Sequence, residues 1–362
     1  MLTDRPLLID VLVNSPGPHD QVRIRDPFTG LQQLGVDCRI HERPFRFNSC
    51  IRPHSLVIWQ RPLPESRQRQ WEHLQWLRER GCLLLTEWDD HPTLFPAQIR
   101  APLEAMALAP LDLCHGLHTS SARLARTLRA LQPMALVLDN YVANIPWLDL
   151  AKHEQRSLRV LVANQNRGPE HQEISSALAD WAQTCDRLQV VVVADPELAR
   201  LMPAAQMELH PRLDYTRYRA VLRSCQIALL PLAPGVANGC KTPIKLLECA
   251  AESVAAVCGP ELYGRYAPQG VATVVNNLKA VVPMAQALAE HPQRRFRQVR
   301  AAHAWVADQW QLAKVLPNRL WLYEQVWRRR HQLDQRLVER VHQDATVPEL
   351  RPSDFGSCAS QD

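Results

Sequence analysis

Short apolar-rich runs alternate with longer segments in which apolar residues recur at helical spacing, the pattern of strand–helix–strand units and parallel sheets. Residues 7–13, 55–60, 82–87, 113–118 and 135–138 read as buried strands. Between them, 21–34 reads as a helix ending at Gly35 and 65–80 as an amphipathic helix stopped by Gly81; 122–131 is a helix opened by Thr119 and Ser120. Polar residues gather at 151–157, where a domain boundary is placed. A second series follows, with strands at 158–163, 188–194, 227–232 and 254–258. Its helices fall at 170–185, 215–224, from Pro243 onward, 278–288 and 293–309. A long helix over 317–342 closes the pattern, and the polar tail 344–362 is expected to be disordered. Two α/β halves with a cleft between them suit a small ligand held at the carboxyl ends of the strands.

Composition narrows the ligand. The 362 residues are 46% apolar, enough for two cores rather than one. Glycine is scarce, 12 residues against 28 prolines. No two glycines stand in a G-x-G arrangement. The two pairs spaced for a phosphate loop, Gly30/Gly35 and Gly259/Gly264, are followed by Val36 and Arg265 instead of lysine. The dinucleotide fingerprint and the P-loop are thus both excluded, and any phosphate must be held by another device. A net charge of +5, from 42 basic and 37 acidic residues, argues against nucleic acid as a partner. The Arg328-Arg329-Arg330 cluster fits either a solvated helix face or weak peripheral attraction to an anionic membrane surface. Ten cysteines, none closer than nine residues to the next, form no CxxC pattern. The run 7–13 is short, contains Asp10 and lacks a small-residue cleavage site, and no apolar run reaches 18 residues. A soluble, reduced, cytoplasmic enzyme is expected.

Chemistry concentrates in residues 218–258. The strand 227–232 leads into an irregular loop, after which Thr242 takes the expected N-cap position and Pro243 the first helical position. Lys241 and Lys245 flank this helix start, where the macrodipole disfavours cations. Two lysines there make sense if an anion occupies the helix terminus. At 100° per residue, Lys245, Glu248, Cys249 and Glu252 share one face, opposite Ile244, Leu246, Leu247, Ala250 and Ala251. Glu248, one turn in, can accept hydrogen bonds from both hydroxyls of a ribose. A nucleoside diphosphate laid along the helix fits this order of groups. The other reading is a solvated face on which Lys245 and Glu248 form an ordinary i,i+3 pair.

The same segment resembles the donor-binding region of GT-B glycosyltransferases of the large retaining family 4 type (glycosyl transferases group 1). In many bacterial members a strand ending in Ala-Pro-Leu precedes an Asn-x-x-Lys-[Ser/Thr]-x-x-Lys-x-x-Glu run. Here Pro231-Leu232-Ala233-Pro234 is followed by Asn238, Lys241, Thr242, Lys245 and Glu248. Glu87-Trp88-Asp89-Asp90-His91-Pro92 is similar to the acidic motif of the family's first domain. His118-Thr119-Ser120, with residues 137–140, resembles the passage before the interdomain link, and Tyr263 resembles the loop after the next strand. The resemblance spans about residues 7–315. It implies a GT-B fold, two Rossmann-like α/β/α domains facing across a cleft. An acceptor-side domain, 1–155, would be completed by a helix, 317–343, crossing back to it, and 156–316 would form the donor-binding domain.

The resemblance also implies the chemistry: transfer of a sugar from a nucleotide-diphosphate donor to a glycan, lipid-linked or other acceptor, with retention and with no metal or other cofactor. Lys241 and Lys245 would neutralise the diphosphate leaving group as catalytic cations. Glu248 would hold the ribose, with Thr242, Asn238 and Arg167 as further donor contacts. Asp89, Asp90, His118 and Arg23 would face the acceptor. The chain also departs from the family. Cys240 stands where the broader family has a glutamate eight residues before Glu248, and the loop after the first strand is reduced to Ser15-Pro16-Gly17-Pro18. Asn164-Gln165-Asn166-Arg167-Gly168 replaces a glycine-rich turn. These changes keep open a catalytically degenerate GT-B module that binds a nucleotide sugar or glycan. A two-domain solute-binding protein is a third reading, disfavoured by the lysine-flanked helix start.

Overall fold

The computed structural model describes residues 6–163 and 168–343. The expected disordered tail and Arg167 lie outside the described residues. Six strands form the first sheet: β1 (Leu8–Val13), β2 (Asp37–Glu42), β3 (Leu56–Gln60), β4 (Leu83–Glu87), β5 (Gly116–Thr119) and β6 (Ala135–Val137). Their order is β2-β1-β3-β4-β5-β6, with every pairing parallel. The second sheet contains β7 (Leu158–Ala163), β8 (Leu188–Val193), β9 (Met207–His210), β10 (Ile227–Leu230), β11 (Ala255–Cys258) and β12 (Thr273–Val274). Its order is β12-β11-β10-β7-β8-β9, again all parallel.

Strands covered by helices on both faces are largely apolar, and β3 and β4 are buried at every position, with polar Gln60, Thr86 and Glu87 confined to their carboxyl ends at the cleft. Alternate residues feed separate cores. Ile9, Val11 and Ile58 pack with Phe28, Leu31 and Tyr323 on one face, while Leu12, Val57 and Trp59 pack with Trp71 and Leu74 on the other. Strand order reverses between β1 and β3 and between β7 and β10. Crevices at the carboxyl ends of strands open at such reversals, and the two face each other here.

Three strands are absent from the hydrophobic pattern: β2, β9 and β12, three of the four sheet edges. β2 carries Asp37, Arg39, His41 and Glu42 with a single fully buried residue, so it shows no apolar run. The helix expected over 21–34 is two pieces, a π-type turn at Gln21–Arg25 and an α-helix at Asp26–Gln33. The closing helix is also two pieces, Leu312–Arg328 with Pro317 inside it and Arg330–Gln343. Both return to the first sheet. Leu316, Tyr323 and Val326 enter one core, and Leu337 and Val341 enter the core on the opposite face.

Candidate functional site

A cavity of about 530 Å³ lies where the two strand reversals face each other. From the second half, β10 ends at Leu230 and the chain runs through a one-turn helix, Val236–Gly239, into the helix Ile244–Ala251. Gly259 permits this route: a Cβ there would lie 2.3 Å from the Leu232 carbonyl oxygen, so no other residue fits. The close approach brings Leu262 and Tyr263 of the next helix to the cavity wall.

The helix start differs from the sequence expectation. Pro243, not Thr242, occupies the N-cap, and no side chain caps the helix. The Thr242 hydroxyl instead accepts a hydrogen bond from Asn140 Nδ2 of the first half at 2.9 Å, while still lining the cavity. Lys245 Nζ donates to Glu248 Oε2 at 3.1 Å and sits 3.9 Å from the centre of the Tyr218 ring. Glu248 is only 2% exposed, so the face is not solvated there, although the i,i+3 pair of the alternative reading is present. The proposed polar face is not uniform either. Cys249 is buried in the apolar core, and Glu252 is bound by Arg219 and Arg223 away from the cavity.

The first half contributes a charge cluster. The π-type turn delivers Arg23 inward, where Nη1 lies 2.8 Å from both Glu87 Oε1 and Asp89 Oδ2. Arg61 grips Asp89 with Nε at 2.9 Å from Oδ1 and Nη2 at 2.7 Å from Oδ2. Burial pushes the Glu87 carboxyl up to about 7, against the pull of Arg23. Against the same push, Arg23 and Arg61 hold Asp89 far below the usual carboxylate range. Burial, then Arg23 and Arg61, push His19 down to about 3, so its ring is neutral at physiological pH. Asp90 reaches across the cleft to Lys241, Oδ1 to Nζ at 2.8 Å.

The cavity therefore gathers Lys241, Thr242, Lys245 and Glu248 from one half and Arg23, Asp89 and Asp90 from the other. Two expected residues are elsewhere. His118 is buried, with Nε2 2.8 Å from the Tyr323 hydroxyl, and does not line the cleft. Asn238 holds its own loop, donating to Ala233 O at 3.0 Å and Glu170 Oε1 at 3.2 Å. Cys240 is fully buried among first-half residues including Trp88, Phe95 and Leu124, with Sγ 3.7 Å from Thr127 Oγ1. Sequence reasoning missed Arg61, His19 and Tyr218. Arg61 was within reach, as the first residue past β3 at a strand reversal, and it adopts a left-handed backbone (φ 43°) that polar sites tolerate. Tyr218 shows itself only through the packing of Lys245.

No protein-family model matches the sequence, and no curated protein matches it. Solved structures share its fold at low identity. The Anabaena protein HepE, solved with UDP-glucose, is 11% identical with a TM-score of 0.61, over 88% of this chain and 99% of that one. The α,α-trehalose 6-phosphate synthase of Burkholderia multivorans is 11% identical with a TM-score of 0.56, over 89% of this chain and 99% of that one. The fold is GT-B, as the donor-segment resemblance implies.

Proposed function

We propose that this chain is a nucleotide-sugar-dependent glycosyltransferase that transfers a hexose with retention and without a metal. The observation that carries the proposal is the helix start facing the cavity, where Lys241 and Lys245 flank an N-terminus and Glu248 is buried one turn deeper. Phosphates fit the helix terminus and the lysines, and a ribose fits Glu248. HepE, with the same fold, was solved with UDP and with UDP-glucose, which supports a nucleotide sugar as the ligand.

In this reading negative charge grows on the diphosphate as the anomeric carbon becomes oxocarbenium-like. Ammonium groups fixed beside it stabilise that state more than the ground state. The leaving phosphate oxygen accepts the proton of the acceptor hydroxyl on the same face, so retention needs no protein nucleophile. Asp89 and Asp90 already carry cationic partners, Arg61 and Lys241, and would shape the acceptor side. The acceptor would be a glycan or a lipid-linked glycan, met in the cytoplasm or at the inner membrane surface.

A second reading, a binding module without transfer, draws on Cys240, which puts an apolar contact where the broader family places a carboxylate. A panel of nucleotide sugars screened by thermal shift, followed by turnover assays on wild type, Lys245→Ala and Glu248→Ala, separates the two. Donor hydrolysis or transfer lost in both variants supports the enzyme. Stabilisation with no turnover supports the module, and no response to any nucleotide diphosphate rejects both.

A further inference from the structure

The first five residues after β1, 14–18, face the donor helix across the cavity, and their backbone amides have nothing to offer an anion. Asn14 N and Ser15 N both donate to Gln60 Oε1, at 3.1 and 3.0 Å. Gly17 N donates to Asp20 Oδ2 at 2.8 Å, and Pro16 and Pro18 have no N–H. Each amide of this stretch is therefore either engaged or missing, so a phosphate cannot be cradled there.

A side chain from the other half stands in that place. Arg212 follows β9, is exposed, and lines the cavity. Its guanidinium lies over Gly17: a Cβ on that glycine would sit 2.9 Å from Arg212 Nη2 and 2.9 Å from the His19 ring. Arg212 takes no hydrogen-bonding or ion-pair partner among the described residues. The other cavity cations differ: Lys241, Lys245, Arg61 and Arg23 are all paired with carboxylates. An unneutralised guanidinium above a five-residue stretch with no spare backbone amide is a ready contact for an anion, with fork geometry suited to phosphate oxygens.

We infer that Arg212 is a donor-binding residue that contacts the diphosphate from the roof of the cavity and replaces the missing amides of the 14–18 loop. Gly17 is the positioning residue that leaves room for it. The inference rests on the proposed nucleotide-sugar reading and adds a residue to that site.

The test measures binding of UDP, GDP and ADP, and of the matching nucleosides, by calorimetry and competition to the full chain. Arg212 is exposed, so Arg212→Ala and Arg212→Lys should fold normally, which thermal melting checks. Arg212→Ala is expected to weaken the diphosphate that wild type binds by about tenfold or more while leaving its nucleoside unchanged. Arg212→Lys should recover part of the loss, and Gly17→Ala, which pushes the guanidinium aside, should produce a smaller loss of the same kind. Unchanged diphosphate affinity in Arg212→Ala, or equal weakening of diphosphate and nucleoside, overturns the assignment while the donor reading stands. Wild type that binds no nucleoside diphosphate overturns the donor reading itself, and this assignment with it.

Discussion

Lys241 Nζ and Asp90 Oδ1 meet at 2.8 Å across the cleft, so a cation proposed for the diphosphate is already held by the opposite half of the molecule. In the proposed reading a ligand phosphate competes with Asp90, and Arg61 Nη2, 3.7 Å from Asp90 Oδ2, can take up the released carboxylate. Asp90→Asn should tighten nucleoside diphosphate binding by roughly threefold to tenfold, and Lys241→Ala should weaken it by about tenfold. The double variant should behave like Lys241→Ala alone. Titration calorimetry reads all three, and a loss of affinity in Asp90→Asn would show that the aspartate contacts the ligand directly.

Glu248 should report the ribose. Glu248→Gln is expected to erase any preference for a ribonucleoside diphosphate over its 2′,3′-dideoxy counterpart, because the carboxylate proposed to accept both hydroxyls is gone. Glu248→Ala additionally leaves a cavity and strips Lys245 of its partner, and should cost about 1–3 kcal/mol of stability. A discrimination ratio that survives Glu248→Gln would place the ribose elsewhere.

The Glu87–Arg23–Asp89 cluster predicts a pH dependence with a definite sign. Burial raises Glu87 from its ordinary 4.5 to about 7, so the folded protein holds a proton that the unfolded chain releases. This contribution is complete below about 4.5 and is lost as pH rises through about 7. Thermal melting of wild type should fall across that window relative to Glu87→Gln, which keeps the hydrogen bond to Arg23 without the ionisation. A constant gap between the two from pH 4.5 to 8 would contradict the assignment.

Restoring the broader family's glutamate should fail. Cys240 is fully buried against Trp88 and Leu124, so Cys240→Glu would place an unpaired carboxylate in an apolar seam between the halves. A loss of roughly 3 kcal/mol or more is expected, visible as a lower or biphasic melting transition. A stable Cys240→Glu with raised turnover would mean that the seam opens in the working state.

His118 belongs to structure instead of to the cleft. Tyr323→Phe removes its hydrogen bond and should cost about 0.5–1.5 kcal/mol with little change in donor affinity.

The buried strands, the two-half plan and the lysine-flanked helix were all legible because each writes itself locally, as an apolar run or as residues at fixed spacing. Edge strands such as β2 were not, since half-exposed strands need no apolar run. The helix-cap assignment failed because Thr242 bonds to Asn140, more than a hundred positions away. His118 was misplaced for a related reason. Its partner Tyr323 arrives from the last helices, and a histidine after a buried strand looks the same whether it faces a cleft or a returning helix. Arg212 acquires meaning only when the two halves are set face to face, whereas Arg61 and Tyr218 take theirs from residues distant in sequence within their own half, Asp89 and Lys245.

The chain passes between the halves twice, and the two crossings touch. Val142 N donates to Trp310 O at 2.9 Å and Leu312 N donates to Val142 O at 3.0 Å, tying the outgoing link to the incoming one. A domain on one tether can swivel freely, whereas two tethers laced side by side act as the pins of a door. Relative movement of the halves is then expected to be a swing about that line, opposed at the cleft by the Asp90–Lys241 and Arg123–Glu261 pairs.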